Sequence, residues 1–185
     1  MNKISQLLYI LVGMLLLTAC DALGAVQPTL NPAEREAEEY AVYRAILDLN
    51  CVVSQTQAGD YIDPDEFPEL DDKLIEDYNM HQRETVLLRP ELDLGPQVTL
   101  ISPSQWDEFF DSGDPDEGWR RFYEGTDCSG INEVSRVGFN EGMDMALVYF
   151  SGYVDSLAGQ FGVMLLTKGE DGEWHFERFL SGGVS

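Results

Sequence analysis

The amino-acid sequence predicts an α+β domain in which an N-terminal helix and several short helices pack on a C-terminal antiparallel sheet. Three observations predict it. Val42, Tyr43, Ile46 and Leu47 recur at helical spacing near the start. The last third is rich in β-branched and aromatic residues broken by glycine turns at 140–142, 151–162 and 169–172. Helical signals come first and strand signals last, an order that suits helices segregated from an antiparallel sheet.

Asn31-Pro32-Ala33-Glu34 reads as a helix start: Asn31 caps free N–H groups, Pro32 suits the first turn, and Glu34 completes a capping-box pattern. That helix is expected to run to about Asn50, with Glu34, Glu36, Glu38 and Glu39 at its entry end. Cys51-Val52-Val53 reads as a short strand and 59–69 as an acidic, proline-marked loop. Leu70, Leu74 and Tyr78, four apart, predict a second helix over 69–81, and 97–101 reads as another strand. Ser102-Pro103-Ser104-Gln105 resembles a capping box opening a helix that gathers Trp106, Phe109 and Phe110, and Asp114-Pro115 opens one carrying Trp119, Phe122 and Tyr123. Strands are expected over 132–139, 145–152, 161–168 and 174–180. In the second of these Ala146, Val148 and Phe150 face one way and Leu147, Tyr149 and Ser151 the other, so the sheet is covered on both sides for part of its length. A cystatin-like or NTF2-like wrap of sheet around helix fits that order.

Charge narrows the partners. Thirty-four Asp and Glu residues against 11 Lys and Arg give a formal net charge of −23. Such a body is repelled by nucleic acid and by anionic lipid headgroups, so nucleic acid is excluded as a partner and attachment to a membrane must come from elsewhere.

The first twenty residues supply it. Lys3 provides a positive start and the apolar run 7–17 has the length of an export signal's core, too short to span a bilayer before Asp21 ends it. Leu17-Thr18-Ala19-Cys20 resembles the bacterial lipobox, which implies removal of residues 1–19 and attachment of lipid at Cys20. Each buried methylene of such chains contributes about 0.8 kcal/mol, so two or three chains anchor a protein durably. The resemblance implies residues 20–30 as lipidated cysteine and tether, 31–185 as a single acidic domain, and a location on the bacterial cell membrane facing away from the cytoplasm. The body resembles a group of uncharacterised bacterial exported proteins through the patterns GW-x-x-FY (Gly118, Trp119, Phe122, Tyr123), SRVGFN (residues 135–140) and ALVY (146–149). Thr126-Asp127-Cys128 departs from that pattern, which has a proline-serine pair there. The group carries no established activity, so the resemblance assigns no catalytic residue.

Chemical motifs are few. With Cys20 lipidated, Cys51 and Cys128 remain as an even pair in an oxidising compartment, either bridged or lying apart as buried thiols. Two histidines, His81 and His175, with no His-Glu-x-x-His or Cys-x-x-Cys spacing, give zinc little to bind, and no phosphate-cradling loop or nucleophile elbow points to a cofactor or a serine hydrolase. The acidic stretch 111–118 misses the EF-hand spacing, so calcium-dependent adhesion would need an irregular site. Arg136 admits two readings. It lines a cleft with Trp119, Tyr123 and Asn140 that receives an anionic or aromatic ligand, or, as the abundance of acids favours, it fixes the fold by pairing with a carboxylate. The expectation is a lipid-anchored binding or interaction module for an envelope protein or small ligand, without a cofactor. The alternatives are a carboxylate-dependent hydrolase of envelope material and calcium-dependent adhesion.

Overall fold

The computed structural model describes residues 31–47, 49–95 and 98–184. The leader, Cys20 and the tether lie outside the described residues. The chain divides after Glu34, and Arg35–Ser185 forms one compact unit. Of the N-terminal unit only the helix entry is described, where Asn31 Oδ1 accepts from the Ala33 amide at 3.1 Å and the Asn31 carbonyl from Glu34 at 2.9 Å. Among the described residues four α-helices and a seven-stranded mixed sheet make an α+β fold.

Helix α1 spans Pro32–Ile46. It stops short of Asn50 because Asn50 is drawn away: its side chain donates to the Asp127 carbonyl and accepts from the Ser129 amide. Strand β1 (Cys51–Val53) is followed by a 3-10 turn at Pro64–Glu66 and by α2 (Asp72–His81). Asp71 caps α2 through the Lys73 amide, so this helix begins three residues later than its leucine spacing suggests. Strand β2 (Thr99–Ile101) leads to α3 (Pro103–Phe110), opened by the expected capping box between Ser102 and Gln105. Helix α4 (Pro115–Gly125) is capped by Asp114. Strands β3 (Ile131–Val134), β4 (Gly138–Phe139), β5 (Met145–Asp155), β6 (Ala158–Lys168) and β7 (Trp174–Val184) complete the chain.

The strand order is β2-β1-β3-β5-β6-β7, with β4 also paired to β5. The C-terminal strands run antiparallel as expected, but β1 and β2 extend the sheet in parallel, a pairing that local sequence does not encode. Helices lie on both faces. On one, Tyr40, Val42, Tyr43 and Ile46 of α1 bury against Val134, Ala146, Val148, Phe150, Met164 and Leu166. On the other, Leu74, Ile75 and Tyr78 of α2 cover Leu147, Val163 and Leu165. Further along that second face Trp119 and Phe122 cover Val53 and Ile131, together with a Cys51–Cys128 disulfide whose Cα atoms are 5.6 Å apart.

Candidate functional site

The single strand expected over 132–139 is broken between β3 and β4, and Arg136 sits in the break. The cause is Ser135. Its Oγ accepts from the Tyr149 amide at 2.9 Å, doing the work of a ladder carbonyl, while its own carbonyl accepts from the Tyr43 hydroxyl of α1 at 3.0 Å. The chain leaves the ladder there and turns Arg136 toward α1. Arg136 Nε donates to both carboxylate oxygens of Glu39, at 2.9 and 3.1 Å, and Nη1 donates to Glu84 at 2.9 Å. Glu39 is only 3% exposed. Burial pushes its carboxyl up, and the guanidiniums of Arg136 and Arg35 oppose that push. Arg35 in turn donates to Asp77 at 2.9 Å and to the Val137 carbonyl at 2.7 Å, and lies over the Phe139 ring. His81, at the end of α2, stands between Asp77 and Glu84. These charges join α1, α2 and the β3–β4 break, which is the fixing role for Arg136.

The other residues of the expected cleft lie in different settings. Asn140 holds the β4–β5 turn, accepting from the Asp144 and Met145 amides and donating to the Asp144 carboxylate. Trp119 belongs to the disulfide cluster, edge-on to Phe122 and Trp106. Tyr123 donates its hydroxyl to the Val154 carbonyl at 2.5 Å. In the acidic stretch 111–118, Asp111 and Glu117 pair with Arg121, Asp114 caps α4 and Asp116 accepts from Ser156. Among the described residues no group of three or more acids, histidines or cysteines is arranged to hold a metal ion.

Two features were not singled out from the sequence. The first is Glu133, at the centre of β3 on the face shared by α2 and α4. It lies directly opposite Ser151, whose hydroxyl donates to it at 3.0 Å. Among the described residues it has no ion pair. Burial pushes its carboxyl up, with the Ser151 hydroxyl as the opposing influence. Ile131 on one side of it belongs to the disulfide cluster, and Tyr149 on the other packs with α2, so Glu133 stands in the seam between the two helical covers. Gly59 brings the preceding loop against Tyr149 and the Tyr78 hydroxyl, where any Cβ would overlap both.

The second is the far end of β5, β6 and β7. Gly162 and Gly182 are cross-strand partners with φ of 152° and 131°, and a Cβ on either would overlap the facing carbonyl. Side chains are therefore missing where the strands come closest. Two grooves result. One, of about 380 Å³, is lined by Phe161, Phe179, Ser181 and Gly182 among others; the second, of about 310 Å³, by Leu49, Gly152, Val154 and Ala158, and they share Gln160 and Val184. Leu157 is 81% and Val184 84% exposed; further along β7, opposite Leu166, the exposed Phe176 touches Phe179 edge to face.

Compared with known proteins, the chain matches no family model, no curated protein and no solved structure. Among the described residues no helix is long and apolar enough to cross a membrane.

Proposed function

We propose that this chain is a lipid-anchored binding module of the bacterial cell envelope, held at the membrane through Cys20 and engaging an envelope protein with its acidic body. The carrying observation is the set of exposed apolar side chains on β5–β7: Val154, Leu157 and Val184 at the hairpin end beside glycine-floored grooves, Phe179 lining one of those grooves, and Phe176 against Phe179 further along β7. Large apolar side chains left exposed on an otherwise strongly charged body are favoured where a partner covers them. The employment of interior acids supports binding over hydrolysis: Glu39 and Asp77 are engaged by Arg136 and Arg35 and hold elements together. The lipobox-like Leu17-Thr18-Ala19-Cys20 and the resemblance to exported proteins support the address.

A photo-crosslinking residue at position 179, in cells that make the protein, tests this reading. It predicts one dominant protein adduct, lost when Phe176 and Leu157 are both changed to Ser and retained in a Cys20→Ser form released from the membrane. A diffuse ladder unaffected by those substitutions would overturn it.

A further inference from the structure

Among the described residues Glu133 is an interior carboxylate without a counter-ion, and its surroundings define what could supply one. Across the sheet, Val53 of β1, Glu133 of β3, Ser151 of β5 and Phe161 of β6 form a row on one face. Tyr149 and Tyr153 occupy the diagonal positions on β5, two residues either side of Ser151 on the same face. Tyr149, Tyr153, Phe161 and Glu133 are each half-buried, so the row is reached by solvent, whereas Ser151 beneath is fully buried. Tyr149 packs with the α2 cover and Tyr153 with the disulfide cluster, and on this face of β5 the small side chain of Ser151 is what stands between them.

We propose that this seam binds an organic cation, an alkylated ammonium group of the trimethylammonium class, with Glu133 as counter-ion and Tyr149, Tyr153 and Phe161 as its aromatic walls.

Three physical points carry this. Aromatic ring faces carry negative potential and attract cations, most strongly where water is thinned out. A methylated ammonium is weakly hydrated, so it enters such a place at less desolvation cost than a bare ammonium or a metal ion, and it asks for no hydrogen-bond acceptors beyond the charge itself. A metal ion would need several oxygen ligands, and Glu133 brings one carboxylate whose described partner is a hydroxyl. The field has the right sign: the Tyr149 hydroxyl is pushed up to about 12, first by burial and then by the acidic groups of Tyr153, Asp60 and Glu133, and of these the two carboxylates are the ones charged near neutral pH. The seam meets one groove of β5–β7 at Phe161, so its test is read at Glu133 and β3 while the protein-binding role is tested separately at position 179.

The test is titration of the exported chain carrying Cys20→Ser with choline, followed by amide chemical shifts of β3 and β5. 3,3-Dimethylbutanol, the neutral isostere, runs in parallel. Choline should saturate with Kd on the order of 1 mM and the isostere should bind at least about tenfold more weakly. Glu133→Gln, which keeps an acceptor for Ser151, should weaken choline binding about tenfold, and Tyr153→Leu by a smaller factor, while Asp107→Asn, an exposed acid remote in sequence, should leave it unchanged. A parallel arm with phosphatidylcholine vesicles reads the source: added binding assigns a lipid headgroup, its absence a free solute. Equal binding of choline and its isostere, equal losses in Glu133→Gln and Asp107→Asn, or no saturation up to about 50 mM would each overturn the proposal. The native-protein contrast between choline and its isostere decides the matter even if a variant fails to fold.

Discussion

Glu39 and Glu133 are both interior carboxylates whose carboxyls burial pushes up, yet the protein treats them oppositely. Glu39, on the buried face of α1, receives the two-point grip of Arg136 with Arg35 close by. Glu133, on the other face, receives a serine hydroxyl. With so few cations for 34 acids, spending two guanidiniums at Glu39 marks that place as structural, and withholding them from Glu133 marks the seam as a place where charge is left for something else to neutralise.

The comparison can be broken first at the wall of the seam. Replacing both Cys51 and Cys128 by Ala should cost roughly 4 to 5 kcal/mol in urea unfolding, because the bridge closes a loop of 77 residues. Amide exchange should then quicken more at Ile131 and Tyr153, in the disulfide cluster, than at Val134 and Phe150 beneath α1. Equal quickening at both places would mean that the two regions are not separately supported. Next in size, Arg136→Ala should destabilise by about 3 kcal/mol, since it strands the Glu39 carboxylate without its main partner. A loss under about 1 kcal/mol would show that Arg136 does not secure the break.

Ser135→Ala should cost about 1 to 2 kcal/mol, as the part-buried Tyr149 amide loses its acceptor. The smallest effect is the most telling. Because the Glu133 carboxyl is raised in the fold, the folded protein keeps a proton there at a pH where the unfolded chain has released it. Its contribution to stability therefore falls as pH rises from the ordinary glutamate range through the folded value. Glu133→Gln removes that fall. The variant should match the parent in acid and exceed it at neutral pH, whereas Glu39→Gln, which also leaves the Arg136 guanidinium without its carboxylate, should gain less.

Much of the fold was legible because its signals are local. Ser102 with Gln105, Asp114 before Pro115, and the two apolar faces of β5 each state their structure within a few residues. The Ser135–Val137 break was hidden because a serine side chain stands in for backbone, and the end of α1 because Asn50 answers to Asp127 and Ser129 from far along the chain. The parallel β1–β2 edge depends on pairing that no local pattern fixes. The site was less legible still. Arg136 drew notice as a rare cation among apolar residues, and its fixing role followed from the excess of acids. Glu133 gave no signal among 34 carboxylates, because what sets it apart is the register that puts Ser151 opposite and tyrosines on the diagonals. Trp119 and Tyr123 read as a ligand wall from their spacing, but they pack with the disulfide cluster and the end of β5.

The most direct test is carbon-detected NMR titration of the Glu39 and Glu133 carboxyls, with and without choline. The account predicts that Glu133 titrates above the ordinary glutamate range in the free protein and moves down when choline is added, while Glu39 keeps its midpoint in both. An ordinary midpoint for Glu133 in the free protein, or equal movement of both carboxyls on adding choline, would contradict it.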